Sequence, residues 1–267
     1  MRLRLMKSIT AMVVGTVVST WLVGFIPLGW LPVKGMWLVI ASRLLNVAIS
    51  LILIRIFCPS ILSKFRLRMS WKKALIAVGV VVLCVGPSVF VIPFHEGLTY
   101  QLFAGFFFAL WIGIDEEIFS RGLMYGAFEE YGVWIAATVS SVHFGLLHLG
   151  NIFWGGQSIA YTSGQIVDAA SFGFLCCGLM ILTGSIWPSI IMHGLSDTPM
   201  QFVSQSVYTS QVTGGTDWLP IIIVAIANVV IGAVLILLSR VETGAEFKKL
   251  MLRFGLIEAE VVQPSTY

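Results

Sequence analysis

Residues 100–128 have the sequence YQLFAGFFFALWIGIDEEIFSRGLMYGAF. This run is long and apolar enough to cross a bilayer as a helix, which takes about 20 residues. Its centre nevertheless carries four ionisable side chains, Asp115, Glu116, Glu117 and Arg121. An ionised side chain in a lipid-facing helix costs at least about 2.5 kcal/mol. We therefore expect these residues to be paired, hydrated or used in chemistry, and to line a polar cavity inside the membrane.

The composition of the whole chain agrees with a membrane protein. Hydrophobic residues make up 58% of the 267 residues and charged residues only 11%, and the mean hydropathy is +0.95. A soluble domain carries about 25% charged residues. The net charge of +3 is too small to indicate nucleic-acid binding. The four cysteines have no metal-type spacing, so we expect them to be reduced packing residues.

The apolar runs predict an all-α polytopic membrane protein with about eight transmembrane helices around an intramembrane polar cavity. The first run follows the basic N-terminus and ends near residue 31, and we interpret it as an uncleaved span. The other predicted spans are 36–57, 74–94, 98–128, 133–149, 165–183, 186–207 and 218–238. Residues 150–164 are expected to be a polar connection. Residues 1–240 then form one integral-membrane domain with its motif-bearing core at about 98–207, and 241–267 form a polar cytoplasmic tail.

The distribution of basic residues predicts the orientation of the chain. With a cytoplasmic N-terminus, twelve Lys and Arg residues fall on the inner side and only Lys34 on the outer side. Because basic residues concentrate in cytoplasmic loops, both termini are expected inside, and the location is expected to be a bacterial cell membrane. Arg43 falls within the second predicted span, where it is expected to face the helix bundle or to reach the interface.

Helical spacing divides the charged stretch into two parts. Glu117 and Arg121 are four residues apart, so they face each other on a helix and are expected to form a structural or supporting ion pair. Glu116 is rotated by about 100° from Glu117 and has no partner on its own helix. Asp115 has no assigned role.

Two further spans bring histidines to the same depth. Phe144 and His148 lie four apart on the helix that follows residue 128, and an antiparallel hairpin places His148 near the level of Glu116. His193 and Asp197 are also four apart, so the carboxylate can orient the imidazole. His143 is expected to have a structural role.

This set of residues predicts hydrolysis. Glu116 and His148 can activate a water molecule, while His193 and Asp197 stabilise the oxyanion of a tetrahedral intermediate. The same atoms can alternatively hold zinc, with Glu116, His148 and His193 as the ligands. The sequence therefore leaves the cofactor open between none and Zn.

The motifs resemble those of the CPBP family of intramembrane proteases, named for CAAX-processing and bacteriocin-processing enzymes and also called Abi. The Glu-Glu-x-x-x-Arg motif falls on residues 116–121, Phe-x-x-x-His on 144–148, and His-x-x-x-Asn/Asp on 193–197. The relatives include the Ras-converting CAAX endoprotease. The resemblance implies that Glu116 and His148 activate water and that His193 and Asp197 form the oxyanion site. The eukaryotic branch has Asn in place of Asp197, and an ionised Asp cannot donate a hydrogen bond, so here Asp197 is expected to orient His193.

The resemblance also implies the partners. The expected activity is that of an endopeptidase, glutamate-dependent or metal-dependent, whose substrate is a membrane-associated peptide or protein within the lipid bilayer. The alternative is a non-enzymatic membrane protein such as a bacteriocin immunity factor, or a proton-coupled transporter that uses the same carboxylates and histidines.

Overall fold

The computed structural model describes residues 2–18, 36–87, 92 and 99–241. These residues form helices joined by short connections, and the described part of the chain contains no strand. The predicted all-α class is confirmed for these residues. Residues 19–35, which include most of the first predicted span, lie outside them, as do the end of the predicted third span and almost all of the predicted tail.

Eleven α-helices are present in the described residues. In chain order they are α1 Arg2–Thr16, α2 Met36–Phe57, α3 Trp71–Val85, α4 Tyr100–Glu117, α5 Tyr125–Phe128, α6 Val133–Leu147, α7 Gly150–Trp154, α8 Ile159–Thr183, α9 Trp187–Asp197, α10 Gln205–Thr213 and α11 Trp218–Val241. A π-helical segment, Ile118–Met124, joins α4 to α5, and short 3₁₀ segments span Pro59–Phe65, Glu129–Tyr131 and Pro199–Phe202.

Four helical stretches in the described residues are long and apolar enough to cross a membrane. They are Leu38–Phe57, Val133–Phe153, Ile159–Thr183 and Trp218–Ser239. Large apolar side chains are exposed along these stretches, as lipid contact requires. The chain is therefore a helical membrane protein, but the predicted number of eight spans is not confirmed by these four stretches.

The predicted seventh span, 186–207, is divided at Pro199, one of the residues expected to interrupt it. The helix α9 ends at Asp197 and is followed by a 3₁₀ turn that begins at Pro199. Proline has no backbone N–H and cannot continue the helix at this point. The Ser204 hydroxyl then accepts a hydrogen bond from the backbone N–H of Val207 at 3.4 Å and begins α10.

The predicted polar connection at 150–164 is also corrected. Its first part forms the short helix α7, and α8 begins at Ile159 rather than near residue 165. The hydroxyl of Ser158 accepts a hydrogen bond from the backbone N–H of Tyr161 at 3.0 Å. This cap satisfies one of the free donors of the first turn, which starts the helix six residues earlier than hydropathy predicts.

Close helix contacts position the site. The helix α8 packs between α6 and α11, and α9 packs along α4. A Cβ atom on Gly194 would lie 2.7 Å from the Cα of Leu110, and one on Gly113 would lie 2.8 Å from the carbonyl oxygen of Ile190. Glycine at both positions thus allows the backbones of α4 and α9 to touch, as small residues do in membrane bundles. This contact brings the last turn of α4 against the middle of α9.

Candidate active site

The charged stretch lies where the helix changes its geometry. The helix α4 ends at Glu117, and the following seven residues, 118–124, form a π-helical segment that is buried along its whole length. The run then continues through α5 to Phe128, so the helical extent predicted from the sequence is present. π-Helical turns are rare and occur frequently at functional sites.

Glu117 and Arg121 form the ion pair predicted from their spacing. The Nε of Arg121 lies 3.0 Å from Oε2 of Glu117, and both side chains are 0% exposed. A guanidinium ion buried in this way requires further compensation. It is supplied by the ring of Phe144, whose centroid lies 4.8 Å from the Cζ atom of Arg121.

The second oxygen of Glu117 binds His193. Its Oε1 lies 2.7 Å from Nδ1 of the imidazole, within hydrogen-bond distance. The sequence predicts that Asp197 orients this ring, but Oδ2 of Asp197 is 3.6 Å from Nε2. That separation is longer than a normal hydrogen bond. The carboxylate that holds His193 is thus Glu117, a contact that the spacing within each motif does not reveal.

Glu116 points into a cavity. Its side chain is 31% exposed, and its Oε2 lies 3.6 Å from Nε2 of His193. Asp197 approaches the same nitrogen at the same distance. The imidazole therefore has a carboxylate hydrogen-bonded at Nδ1 and two more near Nε2.

His148 caps the end of α6 beside the same cavity. Its Nδ1 is 3.1 Å from the carbonyl oxygen of Phe144. A carbonyl only accepts, so Nδ1 carries a hydrogen, and in the neutral imidazole Nε2 then has the lone pair. His148 and Glu116 line one cavity of about 530 Å³ and lie close enough to interact electrostatically.

The ring of Phe144, four positions before His148, packs against several site residues. Its ring packs edge-on against His148, with ring centroids 5.3 Å apart, and against His193 at 5.7 Å. The same ring covers Arg121. One aromatic side chain therefore contacts a residue from each of the three motifs and fixes their relative positions.

The family comparison matches residues 97–199 to the family described as "Type II CAAX prenyl endopeptidase Rce1-like". This segment is Rce1-like. The resemblance to the CPBP family is thereby confirmed over 103 of the 267 residues. The match supports CAAX-type intramembrane protease activity in general terms. No curated protein and no solved structure matches the chain significantly.

The cavity is completed by residues outside the Rce1-like segment. Arg43 and Asn46, both on α2, line it together with Asp115. The Nη1 of Arg43 lies 3.0 Å from Oδ2 of Asp115 and 3.5 Å from Oε1 of Glu116. Asp115, which has no role in the sequence prediction, is thus one partner of an interhelical ion pair. An arginine placed inside a predicted span was the signal available for finding it.

A second cavity meets the first at the Rce1-like motifs. It has a volume of about 720 Å³, and Phe144, His148, His193 and Asp197 line both cavities. Asp168 lies in this second cavity and interacts electrostatically with His148. Neither Asp168 nor the neighbouring cavity residue Gln165 belongs to a motif, and sequence spacing alone does not point to them.

The residues predicted as zinc ligands are not grouped as a metal site. In the described ranges, no three His, Cys, Asp or Glu side chains are grouped as metal ligands, and this includes the predicted set Glu116, His148 and His193. We therefore derive the chemistry from the side chains alone.

Proposed function

We propose that the chain is an intramembrane endopeptidase that hydrolyses peptide bonds of membrane-associated proteins or peptides. The observation that carries this proposal is the convergence of Glu116, His148 and His193 on one cavity, with His193 held by the buried carboxylate of Glu117. Side chains of this kind around a cavity that admits water can activate a water molecule and stabilise an oxyanion. Their location in a membrane protein places the reaction within or beside the bilayer.

Glu116 and His148 activate the water in this proposal. The 3.6 Å between Oε2 of Glu116 and Nε2 of His193 leaves no room for a water between these two atoms. The water therefore lies on the side of the cavity where Glu116 faces His148. It donates one hydrogen bond to Glu116 and the other to the free lone pair of His148, which aims its oxygen at the substrate carbonyl carbon.

His193 and Asp197 then act on the oxyanion. As the water oxygen attacks the carbonyl carbon, the water gives one proton to Glu116. Negative charge develops on the former carbonyl oxygen. His193 as the imidazolium donates from Nδ1 to Glu117 and from Nε2 to this oxygen, and Asp197 balances its charge. When the intermediate collapses, the C–N bond breaks and Glu116 returns the proton to the leaving amine.

The substrate class follows from the Rce1-like match. Its description names a CAAX prenyl endopeptidase, so we propose that the substrate is a membrane-associated protein or peptide of CAAX type. The mechanism above requires no metal ion. Bound zinc stays the alternative source of the activated water, and a chelation test separates the two.

The proposed topology puts both termini on the same side of the membrane. We propose one integral-membrane domain over residues 1–240 with eight spans, a cytoplasmic tail at 241–267, and both termini on the inner face of a bacterial cell membrane. The asymmetry of Lys and Arg supports this arrangement. Single cysteines placed at positions 5 and 260 of a cysteine-free variant would react with an impermeant maleimide only after the membrane is opened. Reaction at either position in intact cells would contradict this topology.

A cleavage assay on purified protein tests the function. The probe is an internally quenched peptide that ends in a farnesylated CAAX sequence, with the same peptide lacking the farnesyl group beside it. Glu116→Ala, His148→Ala and His193→Ala should abolish cleavage. Glu130→Ala is the matched control, because this carboxylate lies outside both site cavities and forms only an exposed pair with Arg4 at 3.7 Å. Full turnover in all three site variants would favour a non-enzymatic or transport role.

A further inference from the structure

Arg43 approaches the site from a helix that the family match does not include. It lies on α2, and its side chain lines the cavity while remaining only 24% exposed. One nitrogen, Nη1, lies 3.0 Å from Asp115 and 3.5 Å from Glu116. A charged arginine within a membrane helix is costly and is retained where it has a specific partner.

Asp115 is fixed from a second direction. The Nδ2 of Asn46 donates to its Oδ1 at 2.7 Å, while Arg43 binds its Oδ2. Arg43 and Asn46 are three residues apart on α2, so they lie on one face of the helix. Two neighbouring side chains of α2 therefore hold both oxygens of one almost fully buried carboxylate.

The same guanidinium also reaches the proposed catalytic carboxylate. Arg43 lies beside Oε1 of Glu116, and His193 lies beside Oε2. Arg43 and His193 therefore each attract a different oxygen of the Glu116 carboxylate. Because Asp115 fixes the guanidinium, Glu116 has a defined neighbour on the side away from His193.

We infer that Arg43 is a positioning residue for Glu116. It holds Oε1 so that Oε2 stays turned toward His193 and the water site, and Asp115 with Asn46 keeps Arg43 in place. This role rests on the proposed function. It assigns Asp115 the role of holding Arg43 and makes α2 part of the site. The competing role is a purely structural ion pair between α2 and α4.

The test compares charge-removing variants on one helix. Arg43→Gln and Arg55→Gln each remove one positive charge from α2, but Arg55 is exposed and lines neither site cavity. With the farnesylated CAAX peptide as the probe, Arg43→Gln should lower kcat by about 100-fold with little change in KM, because the base is misplaced while the substrate still binds. Arg55→Gln should match the wild type.

Rescue separates positioning from structure. Added guanidinium chloride at low concentration should restore part of the kcat of Arg43→Ala, and Arg43→Lys should retain more activity than Arg43→Gln. Asp115→Asn should lower kcat without altering KM. Equal kcat for Arg43→Gln and Arg55→Gln in active, folded protein would overturn the inference alone. A loss of folding in Arg43→Gln, without rescue by guanidinium or lysine, would assign Arg43 a structural role. An inactive wild-type protein would overturn the proposed function and this role together.

Discussion

The carboxylate of Glu117 joins two motifs that are 76 residues apart. Its Oε1 lies 2.7 Å from Nδ1 of His193, and its Oε2 lies 3.0 Å from Nε of Arg121. Because both the glutamate and the arginine are 0% exposed, neither charge has water as a substitute partner. The supporting residue expected from helical spacing therefore also fixes the orientation of the proposed oxyanion-binding histidine.

Glu117→Gln should be both less stable and less active. The amide cannot balance the charge of the buried Arg121, and leaving one member of a buried pair uncompensated costs about 3–5 kcal/mol. The unfolding midpoint in detergent should fall clearly, and kcat should fall with it because His193 loses its charged partner. A well-folded but inactive variant would instead give Glu117 a direct role in the reaction.

Glu130→Gln provides the control for this change. It removes the same charge from an exposed pair with Arg4, and such surface pairs contribute about 0–1 kcal/mol. Its unfolding midpoint and turnover should therefore remain close to those of the wild type. A comparable loss of stability in Glu117→Gln and Glu130→Gln would mean that burial of the ion pair does not determine the destabilisation.

Replacing both members of the pair should separate stability from activity. In Glu117→Leu with Arg121→Met, no unpaired charge is left inside the bundle, and apolar replacements of buried pairs are often neutral or stabilising. The double variant should unfold at a higher temperature than Glu117→Leu alone, yet it should not cleave the probe. Recovery of cleavage would show that His193 does not need the Glu117 carboxylate.

His143 on α6 and His148 at its C-terminal end should differ in their effect on turnover. His148→Ala should lower kcat by at least about 100-fold, the smaller end of what a general acid–base group contributes. His143 bonds to Thr16 at 2.7 Å and packs against Phe119, and it lines neither site cavity. His143→Ala should therefore change stability but leave kcat per folded molecule near that of the wild type. Equal losses of kcat would remove His148 from the proposed mechanism.

Helical period predicts the ion pair of Glu117 with Arg121, but the contact it predicts between His193 and Asp197 is 3.6 Å long, which exceeds a normal hydrogen bond. Glu117 and Arg121 are neighbours on any helix, so their pairing needs no knowledge of the fold. The contact of Glu117 with His193 depends on how closely α4 and α9 approach, which is set by the glycines at 113 and 194. Hydropathy contains no information on that distance.

Helix boundaries show a similar division. Long apolar runs correctly predict the spans at 36–57 and 218–238 to within a few residues. The predicted helix boundaries are wrong near Ser158 and Ser204. At both positions a serine hydroxyl caps a helix, although the polar composition of the segment predicts a connection. The position of Arg43 within a span indicates that it has a polar partner, but the sequence does not identify this partner as Asp115, because the two residues are 72 positions apart and share no motif.

Removal of metal ions should leave cleavage intact. Glu116, His148 and His193 are not grouped as metal ligands in the described part of the chain. After treatment with a chelator and gel filtration, metal analysis should find no stoichiometric zinc while kcat is retained. Loss of activity that added zinc restores would replace the side-chain mechanism by a metal-dependent one.

The crossing of α4 and α9 should be intolerant of a single methyl group. In Gly194→Ala, the new Cβ would lie 2.7 Å from the backbone of Leu110, so the helices must separate, and overpacking of this kind costs about 1–3 kcal/mol. Because the separation also moves Glu116 and Glu117 away from His193, kcat should fall together with the unfolding midpoint. Gly79→Ala is the matched control, since no atom of the described residues lies within 4 Å of its Cβ position on α3. That variant should be as stable as the wild type or slightly more stable, because alanine favours the helix. Wild-type turnover in Gly194→Ala would mean that the distance between α4 and α9 does not set the geometry of the site.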